Sequence, residues 1–160
     1  MTGIYLLLGS NIGNRYKNLE KACESLVANG LTIKKESKIY ETAAWGIEDQ
    51  EAFLNQVVEI ETGRSPQRLL FICQMIEKEM GRVKYEKWGS RLIDIDILYF
   101  GDVEFENEDL KIPHPEIQNR RFTLVPMADI APELVHPTLK KSQNDLLELS
   151  EDNLEVQHFE

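Results

Sequence analysis

The sequence has few of the features that mark secreted or membrane proteins. Only two of its 160 residues are cysteines, Cys23 and Cys73, and their separation fits neither a disulfide framework nor a metal-ligand spacing. No apolar run approaches the length of a membrane span. Met1 leads into an apolar strand without a charged leader segment. These absences predict a cytoplasmic protein with buried thiols and no membrane association.

Basic residues are also scarce. Lys and Arg number 18 against 28 Asp and Glu, which gives a net charge of −10 and argues against a general nucleic-acid binder. Acidic residues cluster at 102–109 and again at 145–160, where no Lys or Arg occurs, whereas cations concentrate at 78–91 and 120–121. A local basic patch in an acidic protein suits a small anionic ligand better than a polymer.

The chain is long enough to bury one core, with 42% hydrophobic residues, and we expect a single domain over residues 1–160. The apolar spacing predicts an α+β fold with a ferredoxin-like β-α-β-β-α-β core, in which an antiparallel sheet carries helices on one face. Everything after residue 101 is predicted to be a C-terminal extension with a short helix and a polar tail. The predicted segments are strands at 4–8, 31–40, 53–62 and 92–100, and helices ending at 29–30, starting at 65–66 and spanning 119–127.

Two carboxylates, Asp94 and Asp96, interrupt a strand that is otherwise rich in Ile and Leu. Residues two apart on a strand point to the same face, about 6.6 Å apart, so these carboxylates should project side by side. Magnesium is often held by one or two carboxylates together with substrate phosphates, and the cations of 82–91 would suit a polyphosphate. The alternative is a solvated strand face beside a mixed-charge loop, because acidic residues lie among those cations. The residues alone leave both interpretations open.

The signature Lys87-Trp88-Gly89-Ser90-Arg91-x-x-Asp94-Ile95-Asp96-Ile97-Leu98 resembles that of the 6-hydroxymethyl-7,8-dihydropterin pyrophosphokinase family of folate biosynthesis. The resemblance covers nearly the whole chain. It implies transfer of the terminal pyrophosphate of ATP to the hydroxymethyl group of a reduced pterin, with release of AMP. Further motifs of the family follow in order: Gly9-Ser10-Asn11, Tyr40-Glu41-Thr42, Phe53-Leu54-Asn55, Gly81-Arg82-Val83, Pro113-His114-Pro115, Asn119-Arg120-Arg121-Phe122 and Ile130-Ala131-Pro132-Glu133-Leu134.

The resemblance implies a phosphate-binding half of the site. Asp94 and Asp96 would hold two Mg²⁺ ions, and Arg82 and Arg91 would act as catalytic contacts to the phosphates, although Arg91 could instead be a surface cation. Such chemistry is catalysed mainly by positioning and charge neutralisation, and no general base is evident. His114 lies between two prolines and could be only a rigid-loop residue. The implied ATP contacts are Gln74, Glu77, Lys84, Trp88, Ile97, His114 and Arg120.

The resemblance also implies a pterin-binding half. Two aromatic rings would stack on the heterocycle, and Asn55 could both donate to and accept from its edge. For either phenylalanine alone, ordinary core packing is the alternative. The segments 43–50 and 82–90 are expected to move on substrate binding and to exclude water. The implied pterin contacts are Thr42, Ala43, Trp45, Phe53, Asn55 and Phe122.

The chain departs from the family pattern at several positions. Lys84 stands where a second arginine is common, and Ala43 and Trp45 are unusual in the acceptor pocket. These residues keep open a second interpretation, an ATP-dependent phosphotransferase on the same fold with another acceptor. A third is a ferredoxin-like regulatory module that binds a ligand without turnover. We expect a stand-alone monomer whose partners are ATP and the pterin, although association with other folate enzymes is the alternative.

Overall fold

The computed structural model describes residues 3–43, 52–81 and 92–160. No helix within these ranges is long and apolar enough to cross a membrane. The elements are strands β1 (Ile4–Ser10), β2 (Thr32–Glu36), β3 (Tyr40–Thr42), β4 (Phe53–Glu61), β5 (Asp94–Phe100), β6 (Phe105–Glu106), β7 (Lys111–Ile112) and β8 (Val156–His158), and helices α1 (Arg15–Ala28), α2 (Pro66–Met80), α3 (Arg121–Ile130) and α4 (Gln143–Leu149), with a 3₁₀ turn at Ile117–Asn119.

An antiparallel sheet organises the fold around β1. Its strand order is β5-β1-β4-β3-β8, and β2 pairs with β4 beside β3. Every residue of β1 is buried, which agrees with the continuous apolar run that predicted a central strand. The α+β class with an antiparallel sheet is therefore confirmed, whereas the ferredoxin-like description stays a prediction.

The helices α1 and α2 cover one face of this sheet. Leu19 and Leu26 from α1 and Leu69 and Ile76 from α2 are fully buried in a core shared with the sheet. The predicted start of α2 is confirmed, because the Ser65 side chain accepts a hydrogen bond from the backbone N–H of Arg68 and a proline occupies the first turn. The helical spacing of apolar residues predicted both helices well.

The C-terminal extension covers the opposite face. Leu124 and Met127 of α3 and Leu146 of α4 pack against Leu7 and Tyr99 of the sheet in a second core. The expectation of helices on one face holds for α1 and α2 only. The sheet needs this second layer because β1 and β4 carry apolar side chains on both faces. The polar tail also contains α4 and β8, neither of which was predicted.

The strand predicted at 31–40 is two strands, because the chain is redirected at Ser37. The Ser37 hydroxyl accepts from the backbone N–H of Val57 at 2.9 Å and donates to the carbonyl of Lys38 at 2.7 Å. The Lys38 N–H then donates to the Asp129 carboxylate in α3 at 2.8 Å. These contacts turn β3 towards the second layer. The helix predicted around 119–127 is likewise the 3₁₀ turn followed by α3.

Candidate active site

Asp94 and Asp96 lie on one face of β5, as their spacing predicted. Both carboxylates are partly exposed, whereas Ile95 and Ile97 are buried in the first core on the opposite face. Carboxylate oxygens are ligands suited to a hard cation such as Mg²⁺. No group of three or more His, Cys, Asp or Glu side chains that could hold a metal occurs within 3–43, 52–81 and 92–160. Among the described residues, the aspartate pair therefore fits Mg²⁺ with substrate or water oxygens completing its coordination.

A continuous row of residues across the sheet joins Asp94 to Asn55. Gly9 of β1 pairs with Asp94 on one side and with Asn55 on the other. The Asn55 amide nitrogen donates to the Leu8 carbonyl at 3.2 Å, and a Cβ at position 9 would come within 2.7 Å of that nitrogen. A side chain at position 9 would therefore displace the Asn55 amide from its place over the backbone. Directly opposite residues share a face of the sheet, so Asn55 and the carboxylates point to the same side.

Two further pterin candidates, Phe53 and Thr42, lie on β4 and β3 near Asn55. Phe53 pairs with Thr42 across β4 and β3, and both Phe53 and Phe122 keep solvent-accessible area instead of being fully buried. The Arg120 guanidinium lies 5.5 Å from the centre of the Phe122 ring. Thr42 is 3% exposed, and its hydroxyl has no hydrogen-bond partner within the described part of the chain. Ala43 is exposed at the end of β3.

A cleft of about 300 Å³ runs along the outer edge of β5. The β6–β7 hairpin forms one wall, where the Asn107 side chain accepts from the N–H groups of Asp109 and Leu110, both at 2.8 Å. Asn and Asp close together are typical of such a tight turn. The lining residues are Leu70, Ile95, Asp96, Ile97, Asn107, Glu108, Asp109, Leu110, Lys111, His114 and Pro115.

His114 is held at this cleft by its backbone and its ring. Its N–H donates to the Leu98 carbonyl at 2.9 Å, and its Nδ1 accepts from the Glu116 N–H at 3.1 Å. Burial lowers the pKa of His114 below its usual value of 6.5, and Arg120 lowers it further. The nearby Asp96 carboxylate opposes this shift only in part. The imidazole is therefore neutral at pH 7, and because Nδ1 is an acceptor the proton lies on Nε2. His114 thus offers a donor beside the Asp96 carboxylate.

Glu77 and Gln74 both come from α2 but occupy different surroundings. The Glu77 carboxylate accepts from the backbone N–H of Ile95 at 2.7 Å, at a point of β5 between the two aspartates. Gln74 is exposed on the same helix. Ile97 lines the cleft although its side chain is mostly buried in the first core. The structure therefore brings Glu77 to the strand of the carboxylates.

Several predicted site residues lie outside the described residues. These are Arg82, Lys84, Trp88 and Arg91 in the segment before β5, and Trp45 in the segment after β3. The two segments expected to move on binding also fall there, apart from Ala43.

Comparisons with known proteins point to one family. Residues 5–132 match the family model described as 7,8-dihydro-6-hydroxymethylpterin-pyrophosphokinase (HPPK). The chain is 44% identical over 141 residues to the Aquifex aeolicus 2-amino-4-hydroxy-6-hydroxymethyldihydropteridine pyrophosphokinase, with 88% of each chain covered. It is also 44% identical over 134 residues to the Pneumocystis carinii folic acid synthesis protein fol1, covering 84% of this chain and 18% of that protein.

A solved structure supports the fold. Plasmodium falciparum HPPK-DHPS matches with a TM-score of 0.71 at 19% identity, covering 92% of this chain and 43% of that chain. The present chain therefore spans a minor part of two of these relatives and most of the Aquifex aeolicus protein.

Proposed function

The chain belongs to the 7,8-dihydro-6-hydroxymethylpterin-pyrophosphokinase family, and we propose that it transfers pyrophosphate from ATP to 6-hydroxymethyl-7,8-dihydropterin in folate biosynthesis. AMP is the second product. The observation that carries this proposal is the position of Asp94 and Asp96 between two differently built regions. One is the cleft beside His114, and the other is the Asn55 and Phe53 end of the sheet.

The cleft along β5 would take the nucleotide. His114 would donate from Nε2 to a phosphate oxygen, and Arg120 would add positive charge beside it. The Ile97 backbone and the hairpin wall would border the base and ribose. Gln74 and Glu77 of α2 complete the proposed contacts, although the bond from Glu77 to the strand supports a positioning role for that carboxylate as well.

The end of β3 and β4 beside the first turn of α3 would take the pterin. Phe53 and Phe122 would stack on its two faces, and ring-on-ring packing contributes about 0.5–1.5 kcal/mol beyond area burial. Asn55 would bind the polar edge of the heterocycle. The buried Thr42 hydroxyl lacks a partner among the described residues and so could bind the same edge. Ala43 and Trp45 would border this pocket.

The metal is part of the proposal. Asp94 and Asp96 would hold Mg²⁺, two ions by the family resemblance, and when bound these ions would neutralise phosphate charge and lower the pKa of the pterin hydroxyl. Arg82 and Arg91 would contact the transferred phosphates, with Lys84 and Trp88 beside the nucleotide. Asp94 and Asp96 lie on β5 between the proposed acceptor side and the proposed nucleotide side of the site.

We also propose that residues 1–160 act as one catalytic domain, as a monomer in the cytoplasm. Cys23 and Cys73 are free thiols, which supports a reducing compartment. Association with other folate enzymes is the alternative, since the fol1 relative is a much longer protein. Sedimentation at several protein concentrations would test the monomer.

Product analysis tests the function. With ATP, Mg²⁺ and 6-hydroxymethyl-7,8-dihydropterin, we expect AMP and a pterin diphosphate in equal amounts. Asp94→Asn and Asp96→Asn should each lower kcat by about 100-fold or more, because a stabiliser of developing charge is lost. Asp145→Asn, an exposed substitution in α4, serves as the control.

Two outcomes would contradict the proposal. ADP in place of AMP would mean transfer of a single phosphoryl group, and a different phosphotransferase would be indicated. Pterin binding without turnover in the wild type, despite Mg²⁺ and ATP, would indicate the non-catalytic module.

A further inference from the structure

The C-terminal segment, residues 150–160, contacts two of the elements that carry pterin candidates, α3 and β3. It lies beyond residues 5–132, which the family model matches. It leaves α4, passes the first turn of α3, and ends as β8 at the edge of the sheet. Phe122 lies in that first turn of α3, and Thr42 lies in β3, the strand to which β8 pairs.

Asp152 forms the first anchor of the segment. One carboxylate oxygen accepts from the backbone N–H of Arg121 at 2.9 Å, and the other accepts from the N–H of Leu154 at 3.0 Å. Arg121 is the first residue of α3, where a backbone N–H has no partner within the helix and a negative charge is favourable. Asp152 therefore fixes the start of α3 beside Phe122.

The strand β8 forms the second anchor. Val156 pairs with Thr42, and the Phe159 N–H donates to the Ile39 carbonyl at 2.8 Å. The Phe159 side chain packs against the first core. Without β8, β3 would be an edge strand of three residues, which is short for independent order. The segment thus completes the pairing of the strand that carries Thr42.

Arg15 ties the segment to the chain that leads into β4. Its guanidinium lies 5.8 Å from the centre of the Phe159 ring. The same side chain donates to the Glu41 carboxylate and to the Ala52 carbonyl, both at 2.7 Å. Ala52 immediately precedes Phe53, so this contact holds the backbone next to Phe53, a third residue of the proposed pterin site.

We propose that residues 150–160 position the walls of the pterin pocket, with Asp152 and Phe159 as the positioning residues. This inference rests on the proposed function. Stacking requires the two rings and the Thr42 edge to keep a fixed separation, and small displacements of a bound reactant slow its reaction greatly. The nucleotide cleft is lined by no residue of the segment, and β8 and β5 lie at opposite ends of the strand order. The segment should therefore act more on the pterin than on ATP, because, among the described residues, its one link towards an ATP candidate runs through Arg121, which follows Arg120.

Steady-state kinetics with separate variation of the two substrates tests this inference. Asp152→Ala and Phe159→Ala should each raise KM for 6-hydroxymethyl-7,8-dihydropterin by about fivefold, as expected for loss of one capping or packing contact. KM for ATP should stay within about twofold. Asp152→Asn, which keeps an oxygen acceptor but not the charge, should have an intermediate effect. Glu151→Ala removes the same charge one residue away and should leave both constants unchanged.

The outcomes separate the two proposals. A wild type that forms no AMP and pterin diphosphate would overturn the proposed function. An active wild type whose Asp152→Ala and Phe159→Ala variants show unchanged pterin KM, or equal rises for both substrates, would overturn the positioning role alone. Thermal melting of each variant identifies unfolding. If Asp152→Ala does not fold, Asp152→Asn and Phe159→Ala still decide the question.

Discussion

At the scale of single residues, one hydrogen bond relates helix α2 to the paired aspartates. Glu77 accepts from the Ile95 N–H at 2.7 Å, between Asp94 and Asp96 in sequence. Because β5 is at the edge of the sheet, this N–H is not paired with a neighbouring strand. The bond limits the movement of the peptide that joins the two carboxylates, so Glu77 acts on the aspartates through the strand.

Substitution of Glu77 separates this positioning role from direct contact with ATP. Glu77→Gln should keep kcat/KM within about threefold, because an amide oxygen still accepts from the N–H, whereas Glu77→Ala should lower it about tenfold and raise the Mg²⁺ concentration needed for half-maximal rate. Initial rates over a series of Mg²⁺ concentrations provide the measurement. Glu79→Ala, exposed on the same helix, is the control. Equal losses in the Gln and Ala variants would favour direct binding of the carboxylate to substrate.

At the scale of elements, the break between β2 and β3 depends on Ser37. This residue is 5% exposed, and its hydroxyl is the acceptor for the buried N–H of Val57. Ser37→Ala should lower the free energy of unfolding by about 1–3 kcal/mol, because it leaves that N–H unpaired. Urea denaturation measures the change. Ser25→Ala within α1 is the control, and a Ser37→Ala variant as stable as that control would refute the role.

The break between β2 and β3 also illustrates which parts of the fold could be predicted from the sequence. Local signals, such as the cap at Ser65 and the apolar spacing of α1 and α2, predicted their elements correctly. The strand break was missed because its cause is a bond between residues 20 apart, Ser37 and Val57, which leaves no trace in the periodicity. The short α4 and β8 were missed because their polar sequences carry little apolar pattern.

In the candidate site, too, local patterns could be predicted from the sequence and long-range contacts could not. Alternation along a strand predicted correctly that Asp94 and Asp96 share a face. The further site residues implied by the family motifs stay predictions. The bonds from Glu77 to Ile95 and from Asp152 to Arg121 were not predictable, because each joins elements that only the tertiary fold brings together. Sequence therefore predicts candidate ligands better than it predicts the contacts that hold them in position.

At the scale of the whole molecule, a buried polar cluster holds the C-terminal layer on the sheet. The Gln143 amide donates to the Tyr99 hydroxyl at 2.9 Å and to the Leu134 carbonyl at 3.1 Å. The His136 ring packs edge-on against Tyr99 with a centroid distance of 5.6 Å. Its Nδ1 accepts from the N–H groups of Thr138 and Leu139 at 3.2 and 3.1 Å. The loop before α4 is thus folded around a neutral imidazole.

This cluster should make the stability of the whole fold depend on pH. Burial lowers the pKa of His136 below its usual value of 6.5, and the nearby Glu104 only partly opposes this shift. The unfolded chain therefore binds a proton more readily, so the stabilisation from His136 is complete above about pH 6.5 and is lost as the pH falls towards its folded pKa. The pKa of His114 is lowered in the same direction, so wild-type data alone would not separate the two residues.

A comparison with His136→Asn isolates the contribution of His136. The asparagine oxygen can replace Nδ1 as the acceptor but does not titrate, and the loss of the ring contact with Tyr99 should make the variant less stable at about pH 8. Between about pH 8 and pH 5.5 its free energy of unfolding should fall less steeply than that of the wild type. Urea denaturation at several pH values measures both slopes. Because His114 is unchanged in both proteins, parallel slopes would mean that His136 contributes nothing to the acid sensitivity of the fold.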